Sequence, residues 1–351
     1  MHPIQSIGYP VHFQNSLPEI KNFISNGNYS KIFVLADSNT EKHCLPLLQP
    51  YLPENYDIIE IDPGEENKNI DFCIGVWKNL LDFNAERNSL LINLGGGVIT
   101  DMGGFAASTF KRGIDFIQVP TTLLAQVDAS VGGKTGIDMD HVKNIIGTFT
   151  QPKAVFIDSA FLKTLEDCQL VSGYAEMIKH GLIADKKYFD QLKTADPLNI
   201  DPALVYRSVE IKNQVITADP HEKGKRKILN FGHTIGHAVE SCSLTDKINP
   251  LLHGEAIAIG MICESYLSHK INGLIDVELQ EVTNAIIKLF PISPITTNND
   301  DLLAVMKNDK KNDNQRIGFA LLTKIGECSY DNFVEEDLIV KSLDFYRNLI
   351  K

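Results

Sequence analysis

The sequence predicts an α/β amino-terminal domain with a parallel-rich sheet, followed by an α-helical carboxy-terminal domain, over 351 residues. Three observations carry this expectation. Short apolar runs rich in Val, Ile, Leu and Phe alternate with amphipathic segments in the first half. After about residue 160 the texture changes to long helical patterns. Hydrophobic residues make up 43% of the chain, enough to build real cores in both halves. We set the expected boundary at 1–158 and 159–351.

In chain order, strands are expected at 31–36, 57–61, 90–94, 116–119 and 154–157, each followed by a turn-forming or polar cluster. Helical spacing of apolar residues is expected at 72–81 and 98–107. Strands alternating with helices imply a parallel sheet covered on both faces. Ligands of such sheets lie beyond the carboxyl ends of the strands, where Asp37, Asp62, Gly95 and Thr121 fall. The second domain should contain helices at 174–183, 202–218, 233–241, 254–269 and 278–289. The polar stretch 309–316 reads as a loop.

Net charge is -12, which repels the phosphates of a nucleic acid at long range and excludes that partner class. A small anionic substrate remains open, because a local group of Lys and Arg can invert the field in a cleft. Cys44, Cys73, Cys168, Cys242, Cys263 and Cys328 are scattered, with no Cys-x-x-Cys pair, and read as thiols of a reducing compartment. Met1-His2-Pro3-Ile4-Gln5 lacks the basic and apolar parts of a signal peptide. No apolar run approaches membrane-spanning length. The expected setting is the cytoplasm.

Gly95-Gly96-Gly97 joins an expected strand to an expected helix. Such a turn lets the backbone approach phosphate oxygens, and the helix amino end adds unpaired N–H donors. The pattern is not Gly-x-Gly-x-x-Gly, because position 100 is Thr, so the sheet is Rossmann-like with a non-standard glycine motif. Gly132-Gly133-Lys134-Thr135 ends like a Walker A loop, but Asp128 stands where its first glycine belongs. Lys134 reads instead as a cation for a substrate phosphate.

His233 and His237 stand four apart, so a helix would project both rings from one face. His253 opens the next helical segment and Glu176 lies on an earlier one. These side chains suit zinc, and three ligands leave a position open for substrate. Four candidates for about three positions leave one over, suited to proton transfer. Lys179 follows Glu176 by three residues, and Lys212, Arg226 and Asn230 precede the histidine pair. A cationic group beside a metal makes sense where the missing partner is an anion bearing carboxylate and phosphate.

At this point the motifs can be compared with a known family. They are Pro63-Gly64-Glu65-Glu66-Asn67-Lys68, Gly95-Gly96-Gly97-Val98-Ile99-Thr100-Asp101, the run from Gln118 to Gly136, Lys143-Asn144, Ser172-Gly173-Tyr174-Ala175-Glu176-Met177-Ile178-Lys179, Asn230-Phe231-Gly232-His233-Thr234-Ile235-Gly236-His237 and His253-Gly254-Glu255. In this order, and over nearly its full length, the chain resembles the 3-dehydroquinate synthase family of sugar-phosphate cyclases. The resemblance implies a dehydroquinate synthase-like fold, tightly bound NAD and a divalent metal, usually Zn2+ with Co2+ as an alternative. It implies Glu176, His233 and His253 as metal ligands, with His237 as the histidine left over. It assigns NAD contacts to Asp37, Glu65, Lys68, Gly95, Gly96, Gly97, Asp101, Thr121, Thr122, Lys143, Phe161, Thr164 and Leu165. It assigns the substrate site to Asp128, Lys134, Asn144, Lys179, Lys212, Arg226, Asn230 and His237. Arg112 matches an arginine that reaches a neighbouring subunit's phosphate site, implying a homodimer. Lys310 or Lys311 should close over the substrate.

The implied reaction converts 3-deoxy-D-arabino-heptulosonate 7-phosphate (DAHP) into 3-dehydroquinate and phosphate, in the shikimate route to aromatic amino acids. It is a carbon–oxygen lyase reaction. Transient oxidation by NAD, β-elimination of phosphate, re-reduction, ring opening and intramolecular aldol closure follow in sequence. Two departures stand out. Leu165-Glu166-Asp167-Cys168-Gln169-Leu170 replaces a more usual Leu-Pro-x-Arg-Glu, which alters a polar contact on the cofactor side. The segment between His237 and His253 is slightly long. Rival expectations are another cyclase making a deoxy-inosose or a valiolone, a metal-dependent NAD alcohol dehydrogenase that releases NADH, and a non-catalytic regulator. Lys179, Lys212, Arg226 and Asn230 favour a carboxylated substrate.

Overall fold

A computed structural model describes residues 1–139, 142–245, 250–307 and 317–350. The expected loop 309–316 with Lys310 and Lys311, and residues 246–249 of the long segment after His237, lie outside the described residues. The chain divides into two compact units, Met1–Glu166 and Asp167–Lys351.

The first unit holds strands β1 (Ile4–Gln5), β2 (Pro10–Phe13), β3 (Ile32–Asp37), β4 (Asp57–Ile61), β5 (Leu90–Gly95), β6 (Asp115–Pro120), β7 (Lys134–Met139), β8 (Val142–Phe149) and β9 (Val155–Ile157). Seven form one sheet in the order β1-β2-β9-β6-β5-β3-β4. Its pairings are parallel except that between β1 and β2. The five strands read from the sequence are β3, β4, β5, β6 and β9. Their side chains alternate between two cores. Val34, Ile92 and Val119 pack toward Leu17 and Ile20 of the helix Leu17–Asn26. Phe33, Leu35, Leu91 and Phe116 pack under the helices Ile70–Asp82 and Gly97–Thr109.

The chain steps from β3 outward to β4, then returns past β3 to build β5, β6 and β9. Strand order therefore reverses between β3 and β5. Such a reversal opens a crevice at the carboxyl edge, where doubly wound sheets take ligands. β7 and β8 form a separate antiparallel pair. Lys134 opens β7, immediately after Gly133, rather than standing in an extended loop.

The second unit is helical: Asp167–Ala184, Lys186–Leu192, Pro202–Ala218, His233–Thr245, His253–Ile271, Asp276–Leu289, Asn299–Lys307 and Glu336–Leu349. It also carries the antiparallel hairpin β10 (Ile317–Lys324) and β11 (Glu327–Val334), which the sequence reading did not separate. Helix starts follow local chemistry. Asp201 Oδ1 accepts the Ala203 N–H at 2.8 Å, and Pro202 follows where no N–H is needed. The helix His253–Ile271 is buried on all sides along most of its length, which marks it as the central strut of the unit. Among the described residues no helix is long and apolar enough to cross a membrane.

Candidate metal centre and nucleotide-binding edge

Three helices of the second unit bring Glu176, His233 and His253 together. One donor atom from each lies within 4.8 Å of the others. Glu176 Oε1 is 3.5 Å from Nε2 of His233 and 3.5 Å from Nε2 of His253. Both imidazoles are turned by their second nitrogen. The Nδ1–H of His233 donates to Phe231 O at 3.1 Å, and Nδ1 of His253 faces Glu240 Oε2 at 3.3 Å. Both Nε2 atoms are thereby aimed at the Glu176 carboxylate, an arrangement in which outer partners orient metal ligands. One carboxylate and two imidazoles fit a divalent ion such as zinc.

Close helix contact makes this convergence possible. Gly254, next to His253, donates its N–H to Ser172 Oγ at 2.9 Å, and a Cβ there would collide with the Ser172 carbonyl. Ser172 lies one turn before Glu176 on the same helix. Gly232 takes φ +80° just before the helix His233–Thr245, a conformation that favours glycine.

Electrostatics separates the two histidines. Burial, with Lys179 nearby, pushes His233 down to about 3. Burial opposes charge on His253 as well, but the Glu240 and Glu176 carboxylates outweigh it and hold the ring up at about 10. His237 stands beside both, its ring centroid 5.0 Å from that of His233 and 5.9 Å from that of His253. Lys179 pairs with Glu176, and both are almost wholly buried. Lys212 and Arg226 are also buried, at 5% and 2% exposure. Arg226 is held by Nη1 donating to Pro220 O at 2.8 Å, and Asn230 Nδ2 donates to Glu222 Oε1 at 2.9 Å.

In the first unit Asp37 and Gly95 end β3 and β5, flanking the reversal, and Thr121 follows β6. Gly96 caps the helix Gly97–Thr109 with φ −75°, so the turn needs no left-handed residue. Space is the reason for glycine: a Cβ on Gly96 would sit 3.0 Å from Thr122 Cγ2. Amide groups 96 to 98 then open a helix amino end at the crevice, a cradle for a pyrophosphate. Glu65, Lys68, Asp101, Lys143 and Asn144 form one network. Lys68 Nζ donates to Asp101 Oδ2 and Asn144 Oδ1, both at 2.7 Å, and Lys143 Nζ lies 3.5 Å from Glu65 Oε1. Burial disfavours charge on Lys68, but Asp101, Glu65 and Asp138 more than compensate and raise its affinity for a proton.

The other expected residues of this unit are spread more widely. Asp128 lies in the turn Ala125–Ala129, half-buried, and Lys134 is exposed. Phe161 is buried in the core with Phe156, so its backbone is the part a cofactor can meet. Thr164 and Leu165 end the short helical turn Ser159–Thr164. Arg112 is exposed with φ +69°.

Models of the 3-dehydroquinate synthase N-terminal and C-terminal regions match residues 58–172 and 173–312. A 3-dehydroquinate synthase of Parabacteroides distasonis is 46% identical over 336 residues, spanning 94% of this chain and 95% of the relative. The chain belongs to the 3-dehydroquinate synthase family. A family member from Campylobacter jejuni is 39% identical, over 90% of this chain and 92% of its own. Among solved structures, a 2-epi-5-epi-valiolone synthase from Streptomyces hygroscopicus with NAD+ and Zn2+ bound is 25% identical, with a TM-score of 0.85 and 99% of each chain covered. A 2-deoxy-scyllo-inosose synthase superposes with a TM-score of 0.86 at 24% identity, over 99% of each chain, and so shares the fold.

Against the family motifs, sequence reasoning missed two residues in these networks. Glu240 stands three after His237 on the same helix, a His-x-x-Glu spacing that was available as a signal. Asp138 accepts the Asn144 N–H at 2.6 Å while Asn144 holds φ +52°, and no local pattern marks that pairing.

Proposed function

We propose that the chain is a 3-dehydroquinate synthase in activity as well as in family, converting DAHP into 3-dehydroquinate and phosphate in the cytoplasm as a homodimer. The observation that carries this reading is the convergence of Glu176, His233 and His253 with both imidazoles oriented from behind. A 46% identical relative of nearly equal length bears that enzyme's name, and a 25% identical cyclase carries NAD+ and Zn2+. Glu176, His233 and His253 would hold the divalent ion. Asp37, Glu65, Lys68, Gly95, Gly96, Gly97, Asp101, Thr121, Thr122 and Lys143 would hold NAD, with the backbone of Phe161, Thr164 and Leu165.

When bound, NAD supplies a hydride acceptor restored within each turnover, and the ion a Lewis acid for the hydroxyl being oxidised. The chain's own residues bind and orient. Lys179, Lys212 and Arg226 present buried positive charge to the substrate's carboxylate and phosphate, where low dielectric strengthens each contact. Asn230 donates an amide to the same anion. His237 exchanges a proton at a ring nitrogen. Arg112, exposed on its turn, reaches the phosphate of a second copy. Holding one flexible molecule in successive reactive poses is the main catalytic task.

The test is incubation with DAHP, NAD+ and zinc, following phosphate and the cyclic product together. Equal release of both without net NADH is expected. Accumulating NADH would instead indicate a simple alcohol dehydrogenase, and turnover of a neutral sugar phosphate in preference to DAHP another cyclase.

A further inference from the structure

We propose that Glu264 is a positioning residue for the metal centre, acting through the peptide bond between Phe231 and Gly232. Glu264 is fully buried on the helix His253–Ile271, the helix that begins with a candidate ligand. Its Oε2 accepts the Gly232 N–H at 2.6 Å and its Oε1 accepts the Ile235 N–H at 3.1 Å. Those amides bracket His233 in the chain. The carbonyl of the same Phe231–Gly232 peptide accepts Nδ1–H of His233 at 3.1 Å. One peptide group is thus gripped on its N–H side by a carboxylate and grips the imidazole on its C=O side.

Two consequences follow from this geometry. Gly232 holds φ +80°, so the peptide plane has rotational freedom that an ordinary residue lacks, and the charge-assisted bond from its N–H to Glu264 Oε2 restrains it. An anion on the N–H also polarises the carbonyl, which makes it a better acceptor for His233 and raises the basicity of Nε2. The bonds join the helix that begins with His253 to the turn that carries His233, and they add to the close backbone packing of Gly260 against Gly232. The negative charge at the amino end of the helix His233–Thr245 is favourable to its dipole, which explains how a carboxylate is tolerated there.

The inference rests on the metal-site reading and deepens it. Glu264→Gln keeps the shape, but its amide must present an N–H to one of the two backbone donors. Zinc affinity, measured on the metal-stripped protein by chelator competition, is expected to fall ~10–100-fold. The visible spectrum of the cobalt-substituted protein should shift as the His233 ring tilts. Ser268→Ala serves as the control. It removes the bond that Ser268 Oγ accepts from Leu322 N at 2.9 Å and the one it donates to the Glu264 backbone carbonyl at 2.6 Å, while leaving the Glu264 carboxylate on Gly232 and Ile235, and should lower melting temperature without changing either metal readout. A Glu264→Gln protein with wild-type zinc affinity and an unshifted cobalt spectrum overturns the proposal, however much its melting temperature falls. If that variant does not fold, Glu264→Asp is measured instead; it keeps the charge but withdraws it by a methylene, and unchanged affinity there overturns the proposal equally. Failure of the wild-type chain to bind zinc at all would sink the metal-site reading itself, a separate result.

Discussion

Replacing Glu240 by glutamine should alter the proton count of metal binding more clearly than the affinity. In the metal-free chain His253 is held up at about 10, despite burial, by Glu240 and Glu176, whereas burial and Lys179 push His233 down to about 3. Near neutral pH, His233 therefore offers a lone pair while His253 carries a proton that an ion must displace. Metal affinity should rise ~10-fold per pH unit up to the His253 value, with about one proton released per ion bound. The same shift acts on stability with the opposite trend. A raised value stabilises the metal-free fold fully below the unfolded value of ~6.5, and that contribution is lost as pH rises through about 10. The gap of ~3.5 units corresponds to at most ~5 kcal/mol. In Glu240→Gln the His253 ring loses its nearest carboxylate and titrates closer to ~6.5. Losing the orienting bond weakens binding by ~10–100-fold, while removing the proton competition restores a comparable factor at pH ~7.5, so affinity alone decides little. Calorimetric titration of zinc in buffers of different ionisation enthalpy reads the proton directly. Release should fall from about one to a small fraction. A wild-type chain that releases none, or a variant that releases as many, refutes the electrostatic reasoning.

Three further outcomes are expected. Gly254→Ala forces its new methyl group against the Ser172 carbonyl, which should cost ~1–3 kcal/mol in urea unfolding and weaken zinc binding by separating His253 from Glu176; a neutral effect on both would contradict the close packing. Lys68→Met removes the buried ammonium from Asp101 and Asn144 and should cost ~3–5 kcal/mol, together with weaker NAD+ binding by fluorescence titration; unchanged affinity would remove this network from the cofactor's surroundings. Arg226→Ala should raise KM for DAHP severely with a smaller change in kcat, and an unchanged KM would argue for a neutral substrate.

Legibility in the sequence followed physical cause. The strand β4 and the helix Pro202–Ala218 were read to the residue, because the three β-branched residues Ile58, Ile59 and Ile61 mark the first and an Asp-Pro cap the start of the second. β2 escaped because Pro10–Phe13 is too short for alternation to rise above chance, although Val11 and Phe13 point into the core. β11 escaped because Glu327–Val334 is mostly polar and half-exposed, and its strand character comes from pairing with β10. The turn at Ile325-Gly326 was the available signal. At the metal centre, the spacing of His233 and His237 suggested chemistry, but spacing alone could not choose among four candidates. Tertiary structure brings Glu176 within 3.5 Å of His233 and His253, and it also brings His237, Glu240 and His253 within 4.8 Å of one another. Glu264 was invisible because its bonds to Gly232 and Ile235 span 32 and 29 residues.

The buried charges also bear on why this fold tolerates them. Glu176 and Lys179 are almost wholly buried, and replacing such a pair by packed apolar residues often stabilises a protein by ~1–4 kcal/mol. A chain selected for stability alone has no reason to keep them, nor to set His253 beside two carboxylates where its proton is held so firmly. An ion held by Glu176, His233 and His253 would reverse the balance, taking the place of the proton on His253 and neutralising the Glu176 carboxylate. At an ion concentration ~100 times its dissociation constant, binding adds ~2.7 kcal/mol, comparable to what the buried pair withholds. The metal-free chain should therefore melt at a lower temperature than the zinc-loaded chain. In a Glu176→Gln chain the zinc-dependent rise should shrink toward zero and the metal-free melting temperature should fall, because the substitution removes a ligand and takes the paired carboxylate away from the buried Lys179 ammonium.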